Sequence, residues 1–168
     1  CFSLTNVSIP NSVTRIGYNA FLNCSLTSIK IPESVTIIEA QAFAGCTSLT
    51  NVKVPGGVNI IEPSAFSGSG LKDVIIGNGV TTIARQAFYF CENLTNITIP
   101  NSVSIIEEEA FGYCFSISSI SIPDKVNRIE EGVFKYCRNL KTVIMGSGLT
   151  FIGGETFRNC TELTSITF

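Results

Sequence analysis

The chain has 168 residues and a net charge of −2, with 11 Lys plus Arg, seven cysteines, no histidine and no tryptophan, and 45% of its residues are apolar. The scattered, weakly balanced charge argues against a nucleic-acid or anionic-membrane surface, and no apolar run approaches the roughly 18 residues of a membrane span. Lacking histidine, the chain has no Ser-His-Asp triad, no imidazole acid–base pair and few routes to a zinc site.

From the N-terminus, Leu4, Val7 and Ile9 set a pattern L-x-x-I-x-I that ends at Pro10, followed by Val13, Ile16, Ala20, Phe21 and Cys24. The stretch 26–48, LTSIKIPESVTIIEAQAFAGCTS, repeats the same columns, and the rest of the chain consists largely of further copies. The leading column runs Leu4, Leu26, Leu49, Leu71, Leu94, Ile117, Leu140 and Leu163, in steps of 22 or 23 residues. Phenylalanine holds its own column without exception at Phe21, Phe43, Phe66, Phe88, Phe111, Phe134 and Phe157. Self-similarity at a period of roughly 20–50 residues signals stacked repeats.

The spacing predicts how each coil folds. The end of L-x-x-I-x-I alternates in, out and in, the period of a strand with one buried face. The proline that follows lacks an N–H and ends ladder pairing. V-x-x-I supplies a second short extended run, and A-F-x-x-C fits a single α or 3₁₀ turn. One coil cannot bury its apolar edge alone; stacked coils bury it against each other. The strands are expected to pair in parallel about 4.8 Å apart.

Taken in order, the first three coils end their strands at Pro10, Pro32 and Pro55. The fourth reads Val74-Ile75-Ile76-Gly77, with glycine in the proline column; the fifth and sixth return to Pro100 and Pro123, and the seventh departs again at Gly146. These exceptions, three repeats apart, suggest a weak superperiod. No stretch reads as a linker, so residues 1–168 form a single array.

The unit LTxIxIPxSVTxIxxxAFxxC resembles the BspA-type class of leucine-rich repeat. The resemblance implies an α/β fold: a right-handed leucine-rich-repeat solenoid of about seven coils, β-rich, with a parallel β-sheet on one face and short helical turns. It also implies a cell-surface or secreted location and a role in adhesion and protein binding. The chain opens in mid-repeat, with Cys1 in the cysteine column, and stops inside a strand at Ile166-Thr167-Phe168. Neither end carries the polar capping repeat that solenoids use, so a segment of a longer array is expected and the lack of a signal peptide says nothing about location.

Cys1, Cys24, Cys46, Cys91, Cys114, Cys137 and Cys160 share one column, with Ser69 in the remaining place. Their side chains would point the same way, which is poor disulfide geometry, and a buried thiol packs well as a small hydrophobe. Free thiols are therefore expected. Glu107, Glu108, Glu109, Glu130 and Glu131 form the one acidic cluster, just before the A-F-x-x-C turns. Negative charge suits a helix N-terminus, so a solvated acidic edge screened by Arg85 and Arg128 is preferred to a weak calcium site or to glycosidase-type carboxylates. No cofactor is expected, and no glycine-rich phosphate loop is present. Five sequons, at Asn6, Asn23, Asn93, Asn96 and Asn159, follow from the Asn, Ser and Thr content.

The positions that do not repeat are the ones the scaffold leaves free. On the strand face the outward column includes Lys30, Lys53, Ile75 and Ile144 within a polar, hydroxyl-rich surface. The column before the cysteine reads Asn23, Gly45, Gly68, Phe90, Tyr113, Tyr136 and Asn159, with Tyr89 and Phe115 near the three aromatics. Exposed aromatic clusters are over-represented at binding sites, whereas rings stacked between coils serve only to stabilise. Phe90, Tyr113, Phe115, Tyr136, Lys30, Lys53, Ile75 and Ile144 are thus the candidate partner-binding residues. The expected function is a non-enzymatic scaffold for a protein or glycan ligand, without membrane insertion; the alternative is a structural spacer that projects another domain.

Overall fold

A computed structural model describes residues 1–168, which form thirteen strands, β1 to β13 in chain order, and no helix. The L-x-x-I-x-I segments supply two parallel ladders. One joins β3 (Asn51–Val54), β5 (Asp73–Ile76) and β7 (Asn96–Thr98); the other joins β9 (Ser119–Ser121), β11 (Thr142–Ile144) and β13 (Ser165–Thr167). Register follows the repeat, so Lys53 pairs with Ile75 and Val143 with Ile166. Pairing is interrupted between β7 and β9, and the corresponding segments of the first two coils join no ladder. The V-x-x-I segments give two-residue strands: β1 (Arg15–Ile16) with β2 (Ile37–Ile38), then β4 (Ile60–Ile61), β6 (Thr82–Ile83), β8 (Ile105–Ile106), β10 (Arg128–Ile129) and β12 (Phe151–Ile152) in one sheet of five. The molecule is a parallel β-solenoid of about seven turns.

The expected helical turns, and with them the α/β class, are not what forms. Successive phenylalanine rings lie 5.2–5.9 Å apart, which is the coil rise, whereas packed helices need 8–10 Å between axes. A helix in every coil cannot be stacked at that rise. The backbone instead alternates its donors. Phe43 N donates to Ala65 O of the next coil (2.8 Å), Ala44 N to Gln41 O within its own (3.2 Å), and Gly45 N again outward to Ser67 O (2.7 Å). Left-handed residues make the alternation, with φ of 57° at Gln41 and 67° at Gly45, and both positions repeat coil after coil. The A-F-x-x-C segments are therefore rungs of turns, hydrogen-bonded both locally and to their neighbours.

The helix-terminus rationale for the glutamates falls with the helices. No helix N-terminus exists for them to complement. Instead Glu39 accepts a hydrogen bond from the backbone N–H of Tyr18 (2.5 Å) and Glu107 one from that of Arg85 (2.9 Å), each reaching a donor of the preceding coil.

Forty-three buried residues form one continuous core. Phe43, Phe66, Phe88, Phe111 and Phe134 are fully buried, and their rings lie nearly parallel, within 12° of one another along the column. All seven cysteines are free. The thiols of Cys46, Cys91, Cys114, Cys137 and Cys160 each donate to the phenylalanine carbonyl of the preceding coil at 3.1–3.2 Å. Burial pushes the Cys91 thiol up to about 12, so these groups stay neutral hydrogen-bond donors. The two glycine corners have a steric reason: a Cβ at Gly77 would stand 2.6 Å from the backbone of Pro55 and Gly56, and Gly146 meets Pro123 in the same way.

Candidate binding surface

The residue before each cysteine from Cys24 on, and before Ser69 in the same column, adopts positive φ: 53° at Asn23, 67° at Gly45, 66° at Gly68, 57° at Phe90, 61° at Tyr113, 61° at Tyr136 and 59° at Asn159. Glycine and asparagine take this conformation readily; a bulky side chain there is strained. The reason for the geometry is the rung, because it aims each N–H at the next coil, as in Tyr113 N to Lys135 O at 2.8 Å and Tyr136 N to Arg158 O at 2.7 Å. Four of the seven positions hold glycine or asparagine, and three hold large rings.

Those rings form a ladder of their own. Phe90 and Tyr113 stack at 4.4 Å, and Tyr113 and Tyr136 at 4.5 Å, with planes 11° apart in both pairs. Tyr89 meets Phe90 and Tyr113 edge-on at 4.8 and 5.3 Å, and Phe115 meets Tyr113 at 6.1 Å. Phe90 is 37% exposed, and Tyr113, Phe115 and Tyr136 are half-buried. The ladder thus presents ring edges to solvent, while the faces between neighbouring rings are used in stacking.

Magnitudes decide whether stability alone explains it. Each bulky residue in the left-handed region costs about 1–2 kcal/mol. Each stacked pair returns about 0.5–1.5 kcal/mol beyond its burial, and half-covering a ring adds roughly another 1 kcal/mol. With five aromatic pairs set against three strained residues, the contacts offset the backbone cost and leave the ladder modestly stabilising.

A charged rim borders it. Lys135 pairs with Glu109, both largely buried, and Gln86 Nε2 donates to the same carboxylate at 2.6 Å. Burial alone would raise the Glu109 pKa, but the hydrogen bonds and charge of Lys135, with Gln86, hold it below the usual carboxylate value. Lys135 Nζ also lies 5.8 Å from the Tyr113 ring, and the Arg138 guanidinium 5.5 Å from that of Phe115. The remaining acidic residues separate from the ladder. Glu107, Glu108, Glu130 and Glu131 line a depression with Arg85, Arg128 and Ile105, where Arg85 pairs with Glu108 (3.4 Å) and Arg128 with Glu130 (2.7 Å). No group of three or more carboxylates or cysteines is arranged to hold a metal ion.

The strand-face candidates are less well gathered. Lys30 and Lys53 lie in neighbouring coils, and Ile75 follows Lys53 in register. Lys53 is paired with Glu33 at 2.7 Å. Ile75 and Ile144 are 57% and 56% exposed but sit in different ladders, three coils apart, on either side of the break. They make no continuous apolar patch. One surface feature was missed in the sequence: Ile37 and Ile60, 42% and 41% exposed, stand in adjacent coils on the V-x-x-I side. The residue preceding the buried isoleucine was the signal for it.

Stacked coils, each with a short strand, a corner and a rung of turns around a phenylalanine column, define a leucine-rich-repeat solenoid. The chain belongs to the BspA-type leucine-rich repeat family, whose repeat region matches in six copies over residues 1–95 and 59–168. No match was found among curated proteins. Among solved structures, a leucine-rich repeat protein of T. pallidum is 28% identical with a TM-score of 0.80, covering 84% of this chain and 69% of its own. A leucine-rich cell surface protein from Faecalibacterium prausnitzii A2-165 is 30% identical with a TM-score of 0.70, over 99% of this chain and 54% of its own. A leucine-rich repeat protein from Eubacterium ventriosum is 25% identical with a TM-score of 0.70, over 99% and 55%. The chain therefore spans little more than half the length of the latter two. No helix is long and apolar enough to cross a membrane.

Proposed function

We propose that the chain is a non-enzymatic adhesion module of a cell-surface or secreted protein, and that it docks a protein partner through the edges of Phe90, Tyr113 and Tyr136. The observation that carries this is the contiguous, part-exposed ladder of three rings in left-handed backbone, at a position the scaffold fills elsewhere with glycine or asparagine. Strained residues that the fold does not need point to function. Phe115, Lys135 and Arg138 complete an aromatic centre with a charged border, the composition of an interface core and rim. A lattice of stacked coils holds these groups in place before binding, which lowers the ordering cost. The surface location is supported by the family and by the F. prausnitzii relative, a cell surface protein by name.

Beads carrying the 1–168 chain, presented to epithelial monolayers under flow, test this reading. Retention above beads carrying a phenylalanine-column variant that does not fold supports a binding module. Equal retention of the two leaves the chain as a spacer and overturns the proposal.

A further inference from the structure

The aromatic ladder has one open end. On its far side Phe90 stacks on Tyr113, but on its near side the next residue in the column is Gly68, followed by Gly45, and no ring covers that face. The floor beside it is recessed for a reason visible in the sequence. One residue, Gly70, separates Ser69 from Leu71, where the neighbouring coils have two: Thr47-Ser48 before Leu49, and Glu92-Asn93 before Leu94. Gly70 closes the shortened segment by lying against the backbone of the preceding coil, donating to Cys46 O at 3.1 Å, and a Cβ there would collide with the Thr47 carbonyl. Around Gly68, by contrast, a Cβ would find nothing nearer than 3.9 Å. The result is an open notch of about 360 Å³ with Phe90 as its single apolar wall.

From this geometry we infer that the notch is a subsite for one neutral sugar ring, stacked on the free face of Phe90. An aromatic face with polar groups at its edge matches a pyranose, which has an apolar C–H side and a circumference of hydroxyls. The edge here is Thr47, Glu92 and Asn93: a carboxylate that accepts hydroxyl donors, an amide that both donates and accepts, and a hydroxyl that does the same. The volume lies at the low end of the roughly 300–1,000 Å³ usual for small-ligand sites, enough for one ring or the end of a chain. A nucleotide is disfavoured, since the one charged group lining the notch is a carboxylate, which repels phosphate. A quaternary ammonium is disfavoured because one ring is not an aromatic cage. An aromatic side chain of a peptide would leave three polar walls unpaired.

The subsite uses the end face of the ladder, whereas the docking reading uses the ring edges, so the two stand or fall separately. The test is saturation-transfer NMR with galactose, glucose, mannose and N-acetylglucosamine, and with choline, arginine and adenosine as the competing chemistries. A millimolar dissociation constant is the scale for one ring on one platform. At least one pyranose is expected to receive saturation on its ring protons, about tenfold weaker or absent in Phe90→Ala and unchanged in Tyr136→Ala. Gly68→Asn provides the second variant. Asparagine occupies the same left-handed position at Asn23, whose side chain lies over Gly45, so at residue 68 it would cover the Phe90 face without altering the fold. Loss of the sugar signal in a folded Gly68→Asn protein confirms the site. No saturation of any pyranose, a signal that survives Gly68→Asn, or preferential binding of choline, arginine or adenosine overturns it.

Discussion

Phe90 stacks on Tyr113 at 4.4 Å although both residues hold positive φ, 57° and 61°. The fold makes this conformation available to every coil and fills it with glycine or asparagine in four of them. The two rings therefore sit where backbone preference opposes them and where neighbours reward them, and the balance of those effects can be measured.

Tyr113→Gly removes the strain along with two stacked contacts and the edge-on contacts with Tyr89 and Phe115, and is expected to lower stability by about 2–3 kcal/mol. Tyr113→Ala removes the contacts but keeps a Cβ in the left-handed region, so it should be less stable than Tyr113→Gly by about 1 kcal/mol. Urea unfolding of the two variants checks this. Equal stabilities would mean that the position is not left-handed in solution.

The core column behaves oppositely. Phe88→Ala empties a fully buried site stacked at 5.5 Å on both sides and is expected to cost about 3–5 kcal/mol. A melt shifted by only a degree or two would remove the phenylalanine column from the core.

Thiol chemistry follows burial. Denatured, unreduced protein should consume seven equivalents of a thiol reagent, one for each free cysteine. In the native state at pH 8, Cys1, which is exposed, should react first. Cys46 and Cys160 lag because burial pushes both up to about 11. Fast reaction at Cys114 or Cys137 would contradict the packed thiol column.

The Glu109–Lys135 pair gives a pH signature. Glu109 titrates below its ordinary 4.5 in the folded chain, so its contribution is complete above that value and lost as pH falls through the folded one. Burial opposes the charge of Lys135, but the Glu109 hydrogen bond and charge raise it above 10.5; its share is complete below 10.5 and lost as pH rises through the folded value. Glu109→Gln is expected to lower stability at pH 7 by about 1–3 kcal/mol and to flatten the fall in stability below pH 4.5. An acid limb identical to the parent's would show that the pair is not formed.

The core was legible because repetition reports burial: a phenylalanine present at 43, 66, 88, 111 and 134 has to be inside. The rungs were not legible, because A-F-x-x-C carries the i, i+4 spacing of a helix, and only the coil rise, a property of the stack, forbids one. Gly45, Gly68, Asn23 and Asn159 are residues that favour left-handed backbone, but in the sequence their column is read for its aromatics and not for its conformation. Its companion four residues earlier gave a weaker sign: Asn19 and Gly132 favour positive φ, but Gln41, Ser64, Gln86, Glu109 and Glu155 share it without being residues that do. The aromatic candidates were found by their departure from the repeat, and Phe115 joins them through Tyr113. Lys135 and Arg138 escaped notice because charge scattered along a sequence does not show which ring it will border. On the strand face, Ile75 and Ile144 stand apart because they lie three coils apart in the repeat, and nothing in the local pattern marks the break in pairing between Thr98 and Ser119.

Partner docking at the ladder edges is tested most directly by adhesion of bead-bound protein in three forms: parent, Tyr113→Ala with Tyr136→Ala, and Lys30→Ala with Lys53→Ala. Folding of all three is checked by circular dichroism. The ladder variant is expected to lose most of the retention seen with the parent, while the strand-face variant keeps it. Normal retention by the ladder variant, together with loss in the lysine variant, would place binding on the strand face and leave the aromatic ladder as scaffold.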